Sequence, residues 1–600
     1  MQLPIKQYWN LLIDYLRPQK WRAVLLGVLL FAGIALQLIN PQILRFFIDA
    51  ATGGVKGVPQ PELMSQLTAA AVLFILVALA QQMITVLATY VSENVAWTAT
   101  NHLRADLARH CLNLDMSFHN THTPGELIER IDGDVATLAN FFSQLVLQVF
   151  GNGVLLLGVL VLLFREDWRV GGALGVFTLI ALITLLRVSS VAVPHWEAAR
   201  QAAAEMFGFL EERLAGTEDI RASGAKAYVM RSFFQLMRMR WGKEMKAGLM
   251  VNLIVNSSML LFTVGNAVAF AVGAYLFLNG EITIGSVFLI FQYSNLLFMP
   301  IERISNQIGD LQKAGAGITR IQHLRQIQSK LRFTDSPAAP ALPGGPLAVC
   351  FEHVSFAYNE DDQVLRDVDF HLPPGQVLGL LGRTGSGKTT LARLLFRLYD
   401  PGQGDITLGD EQRQVNLRDL QPADLHRRVG MVTQDVQLFN ASVRNNLTFF
   451  NADISDERIL IAIDDLGLWP WYASLPNGLD TELQSGGNGL SAGEAQLLAF
   501  IRIFLADPGL VILDEASSRL DPATEQLIER AVDRLLHGEA GRSRTAIIIA
   551  HRLATLHRAD EIMVLEQGST VEYGDRARLA NDPASRFYQL LQTGLEEMLA

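Results

Sequence analysis

Six stretches of this chain run without a charged residue for at least 17 positions, and each is apolar enough to belong in a bilayer. They cover residues 23–44, 67–92, 135–164, 170–186, 247–280 and 282–301. A hydrocarbon core takes about 20 apolar residues as a helix, so six transmembrane helices are expected. Their spans are set at about residues 23–47, 67–92, 138–164, 170–192, 249–279 and 282–306, in a membrane domain of residues 1–330. The fourth run ends at Arg187, near the lower limit for a crossing. That guanidinium either snorkels to the interface or lines a cavity.

Lys and Arg set the expected orientation. Seventeen basic residues fall in the N-terminal segment, residues 93–134 and residues 187–246, against four (Arg45, Lys56, Arg165, Arg169) on the other side. The positive-inside bias therefore puts both chain ends in the cytoplasm, in a multi-pass protein of the cell membrane. No secretory signal peptide is expected ahead of the first span. Residues 4–18 pattern instead as a short amphipathic helix with Tyr8, Trp9 and Tyr15 at the interface. The two long cytoplasmic stretches have helix-forming composition, so spans 2–3 and 4–5 are expected to continue as helices beyond the membrane. THTPGELIER (121–130) and ERLAGTEDIRASG (212–224) hold the turn residues and are the natural contact points for a cytoplasmic domain.

Beyond the spans the character changes. Residues 337–346, PAAPALPGGP, carry four prolines in ten positions and read as a stiff linker, set at 331–346. From 347 to 600 short apolar strands alternate with helical stretches and glycine turns, the pattern of an α/β domain. Two cysteines in 600 residues exclude a disulfide framework. A net charge of −11 and a pI near 5.6 exclude broad nucleic-acid binding. The expected fold class is a membrane all-α domain of six long transmembrane helices plus an α/β domain, which GRTGSGKT (382–389) and LVILDEA (510–516) mark as a P-loop ATPase domain.

The phosphate chemistry is explicit. Strand Val377–Leu381 runs into GRTGSGKT, which fits G-x-x-x-x-G-K-[ST] between a strand and a helix. In Gly382, Arg383, Thr384, Gly385, Ser386, Gly387, Lys388, Thr389 and the adjoining Thr390, the glycines let backbone N–H groups face a β-phosphate at a helix N-terminus. Lys388 neutralises β/γ oxygens and Thr389 ligates Mg²⁺. LVILDEA (510–516) is a buried strand delivering Asp514 to the Mg²⁺ shell and Glu515 to the attacking water. A later strand ends in His551, positioned to hold the γ-phosphate; alone, it reads as a structural histidine.

LSAGE (490–494), about twenty residues before that strand, resembles the LSGGQ signature of ATP-binding cassette (ABC) transporters. The other elements of that family follow in order. The resemblance gives Tyr358 the role of stacking on adenine. It gives Gln434 that of sensing Mg²⁺ and the γ-phosphate, and Asp521, in SRLD (518–521), a place in the loop at the dimer interface. Ser491 and Gly493 would meet ATP, and His551 is the switch histidine. The pattern covers essentially the whole chain and implies an ABC half-transporter of the exporter fold, bound to ATP and Mg²⁺. Such domains pair head to tail, each ATP lying between one chain's phosphate loop and the other's signature, so a second half-transporter is implied.

The signature face departs from the family. Ala492 puts a methyl group where glycine allows close approach, and Glu494 faces a polyanion with a negative charge. Ala495 and Leu497 replace common arginines, and Ser485 a usual glutamate. Either Ser491-x-x-Glu494 is simply a capping box, or the chain is the catalytic half of a heterodimer with a weakened signature, the reading favoured here. For cargo, Gln144, Gln148, Asn152, Asn252, Asn256, Asn266, Gln292 and Asn295 either line a cavity or hydrogen-bond between helices. No acidic residue sits within an apolar run. The resemblance makes an amphiphilic cargo the default: a lipid, hydrophobic drug or peptide, exported or moved between leaflets. A siderophore-type importer and an ATP-gated channel or regulator are the alternatives on the same fold.

Overall fold

The computed structural model describes residues 13–53, 60–144, 149–331, 340–359, 362–433, 436–484, 490–514, 522–537, 544–550 and 553–593. The chain divides into two compact units, Met1–Leu112 with Thr123–Gln328, and Asn113–His122 with Ser329–Ala600.

The helices run in chain order α1 (Lys20–Gly53), α2 (Gln60–Leu112), α3 (Met116–Thr121), α4 (Pro124–Ile128), α5 (Val135–Gln144) and α6 (Asn152–Glu166), then α7 (Trp168–Ala215), α8 (Thr217–Ala222), α9 (Lys226–Leu278) and α10 (Ile284–Gln326). All except α3 lie in the first unit. Six helical stretches among the described residues are long and apolar enough to cross a membrane: 13–52, 61–112, 149–166, 168–215, 226–278 and 284–303. The 53 residues of α2 and of α9 each make a rod of about 80 Å at about 1.5 Å per residue. That is more than twice a hydrocarbon thickness of about 30 Å. Continuation of spans 2, 4 and 5 beyond a bilayer is therefore a matter of length alone.

The third apolar run is helical over 135–144 and again over 149–166, and a π-helical turn, Glu129–Asp134, lies ahead of it. Residues 145–148, with Gln148, lie outside the described residues, as do the side chain of Gln144 and residues 1–12, with Tyr8 and Trp9 of the amphipathic segment. The fourth helix runs 48 residues through Pro194, and Arg187 is exposed on it.

Contacts inside the first unit answer part of the polar-residue question. Asn252 and Asn256 donate to carbonyls one turn back, Gly248 and Asn252, so they satisfy themselves on their own helix. Asn266 Nδ2 donates to Asn295 Oδ1 at 3.2 Å, tying α9 to α10. A Cβ at Gly265 would come within 2.6 Å of the Phe177 ring, so a glycine there lets α7 and α9 approach. At one end of α1, α6 and α10 a polar clasp forms. Arg45 Nη1 meets Glu166 Oε2 at 2.7 Å, Ser286 Oγ donates to Glu166 Oε1 at 2.7 Å, and Asp49 accepts from Thr283 Oγ1 and Gly285 N at 2.9 Å each. The fully buried Tyr293 accepts from Gln42 and donates to the Leu38 carbonyl.

The second unit carries two main sheets. Strands β1 (Ala348–Ala357), β2 (Gln363–Leu372), β4 (Gln403–Gly409) and β5 (Gln414–Asn416) form an antiparallel sheet in the order β2-β1-β4-β5. The other has the order β12-β11-β3-β10-β9-β6, with β3 (Val377–Leu381), β6 (Val429–Val432), β9 (Leu510–Asp514), β10 (Thr545–Ile549), β11 (Glu561–Glu566) and β12 (Ser569–Asp575). Only β12 runs antiparallel. Alternation sends Val377 and Leu381 to one core and Leu378 and Leu380 to another, so β3 is buried on both faces. A short pair, β7 (Ala441–Ser442) and β8 (Glu482–Leu483), lies beside the helical part of the unit.

Helix α3, which ends at Thr121, the first residue of THTPGELIER, falls in the second unit together with His122, and the rest of that motif falls in the first. Asp115 caps α3 by accepting from Ser117 N and Phe118 N, and Leu114 and Phe118 are buried. In the second hairpin α8 has no buried residue.

Candidate functional site

The site is built where β3 ends. Its helices are α11 (Lys388–Leu395), α12 (Pro422–Arg428), α13 (Val443–Thr448), α14 (Asp456–Asp465), α15 (Trp469–Ser474) and α16 (Ala492–Ala506). Register places Leu380 beside Ile549 and Ile549 beside Asp514, so three buried parallel strands end at one edge. That edge, at the change of strand order around β3, is where open α/β sheets bind ligands. Apolar strands thus carry the phosphate loop and Asp514 to a common rim.

The loop geometry fits a polyphosphate. Gly382, Gly385 and Gly387 have φ of +151°, +83° and +105°, conformations that turn successive amides to one side. A Cβ at Gly382 would collide with the Leu565 carbonyl and Ser386, and one at Gly387 would meet Leu365 at 2.6 Å. Ser386 Oγ is buried without a hydrogen-bond partner among the described residues, the mark of a hydroxyl waiting for a ligand oxygen. The buried Lys388 ammonium is held over its own loop by the carbonyls of Gly382, at 2.6 Å, and Arg383, at 3.0 Å. Thr389, in the first turn of α11, is exposed, as are Arg383, Thr384 and Gly385. Thr389 and Asp514, oxygen donors on adjoining elements, suit a hard divalent ion.

Tyr358 stands next to this loop. Its hydroxyl lies 3.1 Å from Thr390 Oγ1 and accepts from Arg393 Nη1 at 3.2 Å. The ring of Tyr399 meets it edge-on, centroids 5.2 Å apart at 85°. Burial pushes the Tyr399 phenol above its usual value, Tyr358 adds to the rise, and the hydrogen bond from Asn120 opposes it. Glu515, His551, Gln434, Asp521 and Ser485 lie outside the described residues, as does the side chain of Ala492.

The signature forms the N-terminus of α16. Ser491 Oγ accepts from Glu494 N at 3.2 Å, and Glu494 Oε2 accepts from Ser491 N at 2.7 Å. The capping box is therefore formed. Gly493 is buried behind it and Ser491 is exposed. Leu497 is a core residue, which accounts for an apolar side chain where an arginine was expected.

Sequence reasoning passed over Arg502. From α16 it donates to the Asn446 carbonyl at 2.7 Å and to the Gln437 carbonyl at 3.3 Å, with its guanidinium 4.6 Å from the Phe449 ring centroid. Asn446, fully buried, accepts from Phe439 N and donates back to the Phe439 carbonyl. The segment just after Gln434 is thus pinned to the signature helix. Burial brings the Arg502 pKa down to about 10.

A phosphate loop at the switch point of a parallel sheet, in a chain with six apolar membrane-length helices, defines a membrane-bound P-loop ATPase. Comparison places it further. The family profile described as ABC transporter transmembrane region matches residues 23–301, and that described as ABC transporter matches residues 365–518. The chain is 30% identical to an ATP-dependent lipid A-core flippase of Pseudomonas fluorescens, over 99% of this chain and 97% of the flippase. It is 30% identical to a fatty acid ABC transporter ATP-binding/permease protein of Mycobacterium bovis, over 80% and 74%. A solved bacterial Atm1-family ABC exporter with ATP bound superposes with a TM-score of 0.79 at 25% identity, covering 95% of this chain and 98% of that one. The chain belongs to the ABC transporter family. It is a multi-pass membrane protein of the exporter fold whose ATP-binding domain is an ATPase coupled to transport.

Proposed function

We propose that this chain is one half of a dimeric exporter of the cytoplasmic membrane, with both ends cytoplasmic, that moves an amphiphilic substrate by alternating access. The observation that carries this reading is the separation of the two phosphate-facing elements. The loop caps β3, whereas Ser491 opens α16, which packs on α13, α14 and β6 and leaves the serine exposed. A signature left facing outward is completed by another chain's ATP. The bare α8 hairpin is consistent with the same partner.

In the proposed site Tyr358 stacks on adenine while Gly382–Thr390 hold the phosphates. Lys388 turns from its own carbonyls to the β/γ oxygens, and Ser386 gains the partner its hydroxyl lacks. Glu515 orients the water whose oxygen attacks the γ-phosphorus as the bond to the bridging oxygen breaks, giving ADP and phosphate. His551 holds the γ-phosphate and Gln434 senses it, while Asp521, Ser491 and Gly493 serve the interface. Thr389, Gln434 and Asp514 would hold Mg²⁺, which neutralises phosphate charge when bound. ATP favours the closed dimer because its γ-phosphate is gripped from two chains, and hydrolysis removes that difference.

A lipid-like cargo is supported by the lack of acidic residues in the apolar runs and by the lipid A-core and fatty acid substrates named for two relatives. A heterodimer is favoured because Glu494 keeps a carboxylate on the helix end that must meet a polyanion, although the capping box gives it a local reason as well. The test is ATPase activity and movement of fluorescent phospholipid in proteoliposomes, for the chain alone and with a second half-transporter, with Glu515→Gln as control. Fast, lipid-stimulated hydrolysis only in the mixed pair is expected. Full coupled activity from the chain alone would overturn the heterodimer, and transport surviving Glu515→Gln would overturn the assigned chemistry.

A further inference from the structure

Helix α11 opens on Lys388 and Thr389 of the phosphate loop, and its Thr390 and Arg393, three positions apart, share a face. Both reach Tyr358. The phenol oxygen accepts from Arg393 Nη1 at 3.2 Å and lies 3.1 Å from the hydroxyl of the buried Thr390. Tyr358 follows directly on Ala357, the last residue of β1, so the strand's pairing with β2 ends just before it. The rings of Phe356 and Tyr399 meet it edge-on, with centroids 5.0 and 5.2 Å away at 86° and 85°. Such ring contacts are broad in geometry, whereas the hydrogen bonds at the phenol oxygen are directional.

A ring that stacks on a base contributes most when it already stands where the base will lie, because ordering it on binding costs affinity. A phenylalanine at position 358 would offer the same aromatic face but could not be tied to α11. Arg393 fastens the ring to the helix whose first turn serves the phosphates, so one rigid element sets the distance from base platform to phosphate loop. We propose that Arg393 is a positioning residue for adenine: it orients Tyr358 and thereby sets nucleotide affinity through the base, without acting on the phosphates. The proposal rests on the reading of Tyr358 as the base-stacking residue.

The test is calorimetric titration of the full chain in lipid nanodiscs with ADP and, separately, with pyrophosphate, which offers phosphates without a base. Wild type is compared with Arg393→Met, Arg393→Lys, Tyr358→Phe and the double variant Arg393→Met with Tyr358→Phe. Arg393→Met should weaken ADP binding by about fivefold, the equivalent of one ordinary hydrogen bond, and leave pyrophosphate affinity unchanged. Arg393→Lys, which keeps a donor, should recover part of that loss. The double variant should lose no more than Tyr358→Phe alone, because removing the phenol oxygen already removes the bond. Equal weakening of ADP and pyrophosphate in Arg393→Met overturns the proposal, since the guanidinium would then act on the phosphates or on the fold. Additive losses in the double variant overturn it as well. ADP affinity of Tyr358→Ala separates the two readings. Unchanged affinity defeats base stacking and the positioning with it, whereas weakened affinity with ADP binding intact in Arg393→Met defeats the positioning alone.

Discussion

Lys388 reaches back over its own loop to two carbonyls, and this explains how an ammonium can be buried there without a ligand. Replacing it with alanine should leave the fold and lower ATPase activity by about 10²–10³-fold, as removal of one preorganised charge does; turnover and circular dichroism on the same preparation check it. Glu494 separates two effects in one position. Glu494→Gln keeps an acceptor for Ser491 N and removes a charge, whereas Glu494→Ala removes the cap at about 1 kcal/mol. If charge is what weakens the signature, ATPase activity of the assembled dimer rises in Glu494→Gln with little change in melting temperature. His426 is exposed on α12 yet stacked on Phe396 with centroids 5.1 Å apart, and partial desolvation beside that ring holds it below the usual histidine pKa, partly offset by a hydrogen bond with the Phe396 backbone. Its folded form prefers the neutral ring, so its contribution is complete above the unfolded pKa near 6.5 and declines as pH falls towards the lowered folded value. Melting of the nucleotide unit from pH 7.5 to 5.5 should therefore fall less steeply in His426→Phe than in wild type.

At the scale of elements, strand, loop and helix are specified together. Gly387 is the N-cap of α11 at φ +105°, pressed against Leu365, so Gly387→Ala meets both backbone strain and a clash. A loss of about 1–3 kcal/mol in the nucleotide unit is expected, with ATP binding lost as the loop deforms; thermal melting with and without ATP reads both. The clasp at the ends of α1, α6 and α10 was invisible in the sequence. Arg45 and Glu166 are 121 positions apart, and no periodicity links them. Phosphate loop, signature and capping box were legible because each is a contiguous pattern whose residues meet within one or two turns. The self-bonding of Asn252 and Asn256 is equally local, whereas the Asn266–Asn295 bond needed two packed helices to exist.

At the scale of the whole molecule, the proposed dimer sets each chain's single phosphate loop against the other chain's outward signature. Helix α8 carries no buried residue, and Leu214 and Tyr228 beside it are more than two-thirds exposed. Residues 217–222 should therefore exchange fast in a detergent-isolated single chain and become protected on assembly with a partner. Equal exchange in both states would leave the hairpin without the role proposed for it.

The sequence alone determined the apolar spans, the α/β domain and the phosphate loop, because hydrophobic length, strand alternation and glycine conformation act over a few neighbouring residues. Only the tertiary structure decided that α3 joins the nucleotide unit, that Asp115 ties it to a linker 214 positions away, and that Tyr399 closes on Asn120 across 279 positions. Those contacts depend on where buried polar groups find partners once the chain is packed, and packing, unlike periodicity, is not written at any single place along it.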